Sequence, residues 1–373
     1  MAVNMPQGMS AEPMGDVDLV TVDAVRELAA VQGPCVSVFL PTSRFGPETL
    51  SGPARLRHLV NEAAESLAAA GSSEGEVKKV LAPLRALLDN EPFWQHQSDG
   101  LALYSAPGSF AHFRVPIALP EETSVGTSFR IRPLLPLVSA DGLFFVLALA
   151  QNSVRLFHAT RQTIGELALG AIPGSMDEAI PQEEMERHGQ SHSTGRTSVQ
   201  FHGQGNEADY DKAALERYFR AIDHPLNTRL GHRGEPLVLA CVGYYLPIFK
   251  EISRYPQVWD RAVEGNPEER PLAELHDAAW ALVAEHFAER EERYLDRYRQ
   301  AAGTGRTASG AQEVLGAARD GRVDTLVLGP AMGGADDQAV EGAIAETLRH
   351  HGRVVSVSAA PGDGDEPAAL LRY

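Results

Sequence analysis

The stretch His188–Asn206, HGQSHSTGRTSVQFHGQGN, is where residue types and spacing converge on chemistry. Its 19 residues hold no carboxylate and only two apolar side chains, Val199 and Phe201, inside a strongly acidic chain. Arg196, His188, His192 and His202 make it locally cationic, suited to face RNA phosphates. Gly203-Gln204-Gly205 sets one amide side chain between two residues of unusual backbone freedom, so the backbone can approach a reacting ester closely. The Gln204 amide is donor and acceptor at once and can orient a water on a carbonyl. It is a poor base, so it would act by positioning and by stabilising the oxyanion. The link from Gly170 to Asp209 exceeds the roughly 12–15 residues beyond which structureless loops are uncommon unless functional or disordered. A solvated loop without catalytic part is the plain alternative, because Gly-Gln-Gly alone is an ordinary surface tripeptide.

Other constellations carry less. His188, His192 and His202 invite a metal reading, but Gly, Ser and Thr between them disfavour a helix, and no carboxylate or cysteine joins them. No metal and no cofactor is therefore expected. Gly303-Thr-Gly-Arg-Thr-Ala-Ser-Gly310 is similar to a phosphate-cradling loop, yet a helix precedes it and no Gly-Lys-Ser/Thr follows. A connection between helices with Ser309 as N-cap is the expectation there. Asp141 and Asp209 fall near element ends without forming a carboxylate cluster, which disfavours two-metal nuclease chemistry. No Gly-x-Ser-x-Gly elbow supports a serine hydrolase.

The elements that must position the loop can be read along the chain. With 373 residues, two or three domains are expected. Hydrophobic residues at 43% and charged residues at 22% fit a globular protein, and no apolar run is long enough to span a membrane. Residues 1–16 read as a disordered leader without the order of a secretion signal, so a cytoplasmic location is expected. Cys35 and Cys241 lie in apolar runs and read as core residues. A net charge of −17 argues against broad nonspecific nucleic-acid binding while leaving room for a local basic surface. Only four lysines stand among the 33 basic residues; arginine suits bidentate phosphate contacts, though a composition bias explains the excess as simply.

Three α/β domains follow from the patterns: 17–135, 136–265 and 266–373. The first holds a helix over 17–30, a strand at Cys35–Leu40, two amphipathic helices over 55–70 and 76–88, and strands at 101–105 and 110–115. The second opens on the buried strand Leu143–Ala150, continues as a meander through 153–160 and 163–169, and resumes after the long link with a helix over 211–221 and a buried strand at 237–242. Three strands, a helix and a further strand resemble the start of a ribonuclease-H-like sheet. Residues 263–271 read as a linker before a long helix over 272–301, whose aromatic stripe (Trp280, Phe287, Tyr294, Tyr298) is expected to be core. Two helices and the strands at 324–328 and 353–358 follow, and 368–373 reads as an edge strand, together an α/β/α sandwich.

The order of elements, the run Ala150-Gln-Asn-Ser-Val-Arg-Leu-Phe157, the loop His202-Gly-Gln-Gly205 and the segment Gly321-Arg-Val-Asp-Thr-Leu-Val-Leu-Gly329 look like the bacterial branch of the archaeo-eukaryotic release-factor superfamily, which includes class-I release factors and Pelota. The resemblance covers about residues 17–373. It implies a ribonuclease-H-like middle domain and a Pelota-like C-terminal sandwich of the L7Ae type. It implies a Gly-Gly-Gln loop that enters the ribosomal A site and hydrolyses peptidyl-tRNA, with Gln204 positioning water, Gly203 as its backbone partner, and His188, His192, Arg196, His202 and Gly205 facing RNA. The implied partners are the ribosome with its rRNA, peptidyl-tRNA and a translational GTPase, with no membrane. Two departures matter: His202 stands where the family triplet has its first glycine, and the stop-codon-reading Asn-Ile-Lys-Ser motif is absent from residues 1–135. Rescue or hibernation is therefore favoured over termination. A non-catalytic ribosome-binding hibernation factor is the alternative, and an acidic scaffold unrelated to translation is a third reading.

Overall fold

The computed structural model describes residues 17–43, 51–138, 142–180, 204–231, 234–329, 337–358, 361 and 366–373; in the helix that starts at Gln204, side chains are described from 212 onward. Three sheets are distributed over two compact units, one of residues up to 143, 160–165 and 284–373, the other of 144–159 and 166–283.

In the first unit, strand β1 (Cys35–Pro41) pairs antiparallel with both β2 (Gly100–Ala106) and β4 (Glu122–Gly126), and β3 (Ser109–Val115) pairs with β2. Because side chains alternate along a strand, β1 feeds two cores. Val36, Val38 and Leu40 meet Leu101, Leu103 and the helices Gly52–Ala69 and Glu74–Ala86. Cys35 and Phe39 face the other way, with Ala102 and Tyr104, onto helix Val22–Ala30 and the C-terminal segment. Each fully buried aliphatic or aromatic side chain here contributes about 1.5–3 kcal/mol of transfer energy. Burial pushes the Cys35 thiol up to about 12, so it is an inert core group.

The helix expected over 17–30 is shorter than its pattern. It starts at Val22, where the Thr21 hydroxyl accepts from Ala24 N at 2.9 Å, and Asp18 is instead bound to β3. The Arg114 guanidinium donates to both Asp18 carboxylate oxygens, at 2.9 and 3.0 Å, and to the His96 carbonyl at 3.1 Å.

The C-terminal sheet runs β10 (Thr307–Ser309), β13 (Ala368–Leu371), β11 (Val323–Leu328), β12 (Arg353–Ser356). Helices Ala311–Arg319 and Asp337–Arg349 pack on one face, while Val327, Val355 and Ala368 meet Tyr294, Leu295 and Tyr298 of the long helix Leu272–Ala301 on the other. An α/β/α layering results. Two expectations are corrected. Residues 368–371 form an inner strand rather than an edge, because Ala368 and Ala369 are small enough for close layers on both faces. Ser309 belongs to β10, and the N-cap of the next helix is Gly310 at φ 82°, a conformation costly for a residue with a side chain.

The middle sheet carries β7 (Ile164–Leu167), β6 (Val154–Ala159), β5 (Phe144–Leu149), β8 (Leu237–Cys241) and β9 (Val263–Glu264) in that spatial order, all but Ile164 and Gly165 in the second unit. β6 is antiparallel to β5, whereas β8 is parallel to β5 and β9 to β8. The expected linker at 263–271 thus begins with a strand. The helix expected over 211–221 runs instead from Gln204 to Leu230, straight through Pro225. Proline normally ends a helix. Here Asp223, only 4% exposed, bridges past it: its Oδ1 accepts from Ser253 Oγ (2.7 Å), Arg254 N (3.0 Å) and Asn227 Nδ2 (2.9 Å).

One half-buried charge cluster joins the N- and C-terminal segments of the first unit. Arg130 pairs with Glu122 (2.9 Å), Asp337 (3.1 Å) and Glu341 (3.5 Å), and Arg132 with Asp337 (2.6 Å). Burial pushes the Glu341 carboxyl up to about 7 against the pull of Arg130. Its unfolded value lies near 4.5, so the folded chain retains a proton across this window. The corresponding stability is complete below pH 4.5 and lost as pH rises through 7. Glu341→Gln should therefore lose about 2–3 kcal/mol less than the parent between pH 5 and 8, read from urea midpoints. Identical pH profiles would contradict this.

Candidate functional site

Strand β5 is wholly buried, as its eight-residue apolar run demands, and it stops where the chain turns at Gln151-Asn152. Ala150 N donates to Ser153 O at 2.9 Å to close that turn, and Met176 N donates to Gln151 O at 2.8 Å. Parallel β8 ends beside it, leading through Gly243 into the helix Tyr245–Ile252. β6 leaves β5 on one side and β8 flanks the other. The carboxyl ends of the parallel pair therefore sit at a reversal of strand order, where open α/β sheets form a crevice.

Gln151, Tyr244 and Tyr245 occupy this end. The Tyr244 ring, 58% exposed, meets Tyr245 edge-on at 4.9 Å. Burial pushes the Tyr245 hydroxyl up to about 12, with Tyr244 and Gln151 as hydrogen-bond partners. Burial likewise raises the Cys241 thiol to about 12, which leaves it protonated and non-nucleophilic at neutral pH. None of these tyrosines is singled out by the sequence reading. The signal was present: two adjacent tyrosines directly after a buried strand and a glycine.

The helix Gln204–Leu230 is fastened to the same place. Tyr218 donates its hydroxyl proton to the Ala150 carbonyl at 2.7 Å, and burial holds that phenol well above its ordinary value. Phe219 stacks edge-on against Tyr245 (5.2 Å) and Phe249 (5.7 Å), and Ile222, Leu226 and Leu230 continue the buried stripe.

Gln204 and Gly205 are the first two described residues of this helix. Their neighbours Asn206, Glu207 and Ala208 extend the helix seven residues beyond its expected start at 211. Fourteen residues separate Gln204 from Tyr218, about 21 Å along the axis. His188, His192, Arg196, His202 and Gly203 lie outside the described residues, as do Asp141 and the Asp209 side chain. Among the described residues no group of three or more His, Cys, Asp and Glu is placed to hold a metal ion, and no helix is long and apolar enough to cross a membrane.

Residues 143–322, just under half of the chain, match the model of bacterial archaeo-eukaryotic release factor family 3. That span encloses the buried strand β5, the His188–Asn206 stretch and the helix behind it. Over that span the chain is similar to the bacterial branch of the archaeo-eukaryotic release-factor superfamily. Similar solved structures include the archaeal translation termination factor aRF1, 16% identical over 95% of this chain and 99% of that one, at a TM-score of 0.25. Dom34 of S. cerevisiae, described as a translation termination-like factor involved in RNA quality control and interacting with Hbs1, is 13% identical over 73% and 80% at 0.34. Thermoplasma acidophilum Pelota is 14% identical over 74% and 80% at 0.22. No curated protein sequence matches the chain.

The Tyr218 hydrogen bond is the point at which this arrangement can be loosened without touching Gln204. Tyr218→Phe leaves the buried Ala150 carbonyl without its partner, and a loss of about 1–3 kcal/mol in urea unfolding is expected. Unchanged stability would mean that the bond does not anchor the helix.

Proposed function

We propose that this protein hydrolyses peptidyl-tRNA in the A site of stalled ribosomes, with Gln204 orienting the attacking water and Gly203 its backbone partner. The observation that carries the reading is the family match across 143–322, which contains the whole carboxylate-free stretch with its Gly203-Gln204 pair. Arg196, His188, His192, His202 and Gly205 are the residues proposed to face RNA. The 17–135, 136–265 and 266–373 division is proposed as the functional one, since each part carries a sheet of its own. The order β7-β6-β5-β8-β9, with β8 parallel to β5, supports a ribonuclease-H-like middle domain. A cytoplasmic location and a translational GTPase partner belong to the same proposal.

One observation favours a second reading. His202 replaces the first glycine of the family triplet, and a side chain there restricts how closely the backbone approaches an ester. A non-catalytic ribosome-binding hibernation factor would tolerate that change.

Purified protein mixed with ribosomes carrying peptidyl-tRNA separates these readings. Catalysis predicts peptide release that falls about 10²–10³-fold in Gln204→Ala while co-sedimentation with ribosomes persists. Equal release by both forms would remove Gln204 from the mechanism. Co-sedimentation without release by the parent protein would establish the second reading instead.

A further inference from the structure

At the far end of the long helix Leu272–Ala301 lies a cleft of about 710 Å³ that the proposed chemistry does not use. Arg297, Gln300 and Ala301 of the helix form one wall, Thr304 and Arg306 of the following turn another, and the inner strands of the C-terminal sheet at Asp324 and Leu370–Arg372 the third. Gly303 and Gly305, both at φ 77°, make the turn that brings Arg306 back beside the sheet.

Three arginines and one aspartate are among the residues that line it. Arg297 is answered by Asp324 at 3.2 Å. The other two hold only carbonyl oxygens. Arg306 donates from Nη2 to the Arg372 carbonyl at 3.4 Å. Arg372 donates from Nη1 to Gly321 O (2.9 Å) and from Nη2 to His350 O (2.7 Å). Carbonyls orient a guanidinium without cancelling its charge, so two positive groups persist in a chain of net charge −17. Next to them the Arg322 guanidinium lies 5.9 Å from the centre of the Tyr373 ring, and Tyr373 is 70% exposed. Tyr373 directly follows the lining residue Arg372, so its exposed ring offers a base a stacking face next to arginines that can take the phosphate. An acidic peptide would use the arginines but leave the ring idle.

We propose that this cleft is an RNA-binding site, taking a backbone phosphate of single-stranded RNA on Arg306 and Arg372 while an adjacent base stacks on Tyr373. It requires nothing of Gln204 and would stand if the release reading failed.

Fluorescence anisotropy with the full chain and a labelled single-stranded RNA of about ten nucleotides, titrated over salt, tests it. Arg306→Gln should weaken binding about 5–20-fold and make the slope of log K against log salt shallower by about 0.7, the signature of one lost phosphate contact. Tyr373→Ala should weaken binding about 5–100-fold with the slope unchanged, because stacking releases no counterions. Arg306→Lys should recover part of the loss. Both side chains are exposed, so thermal melting should match the parent and confirm that the variants are folded. Parent-like affinity and slope in folded Arg306→Gln would overturn the proposal. So would displacement of the RNA by inorganic phosphate or a nucleoside monophosphate at concentrations comparable to the RNA itself, which would mark a site for a free small anion.

Discussion

A hydrogen bond from Tyr218 to the last carbonyl before the Gln151-Asn152 turn, together with the apolar stripe from Leu215 to Leu230, fastens a 27-residue helix whose first residue is Gln204. Everything proposed about the amide depends on that attachment. A glutamine cannot accelerate ester hydrolysis as a base; it can only place a water and a dipole, and placement requires a rigid mount. The mount is made by ordinary means: a buried parallel strand pair, a tyrosine whose hydroxyl has one place to go, and Asp223 carrying the helix past Pro225.

The acidic character of the chain conceals how its arginines are used. Arg114 clamps Asp18, Arg130 and Arg132 close the cluster around Glu341, and Arg349 donates to the Ala29 carbonyl at 2.9 Å. These planar forks fasten segments far apart in sequence, which lysine's point charge does less well. Part of the arginine bias is therefore structural. Arg306 and Arg372 in the C-terminal cleft differ in lacking any carboxylate partner among the described residues, and so mark a basic surface on an acidic body.

Much of the fold is legible where residue pattern and burial agree. The run from Leu143 to Ala150 is a buried strand because nothing in it tolerates water, and the aromatic stripe of the long helix is core at Phe287 and Tyr294. Legibility fails where tertiary contacts override local signals. Pro225 reads as a helix stop, yet Asp223 and Asn227 carry the turn across it. Residues 122–126 are too polar to announce a strand, and they become β4 only because β1 has a free edge. Ala368–Leu371 looks terminal and peripheral, but its small residues let helices approach from both sides. At the candidate site, the Gly-Gln pair stands out in sequence by composition alone, whereas the helix start at Gln204 does not, because glycine and asparagine beside it disguise a helical run. The paired tyrosines at the strand ends are illegible for a different reason: their placement beside Gln151 depends on β5 and β8 being parallel neighbours.

The most direct test is to see the amide at work. A cryo-electron-microscopy map of the protein on a ribosome carrying intact peptidyl-tRNA would locate the Gln204 side chain against the ester. The account predicts it about 3 Å from the carbonyl or a bridging water, at the start of an unbroken helix. A bound protein whose Gln204 lies on another ribosomal surface, with the peptidyl-tRNA ester untouched, would contradict it.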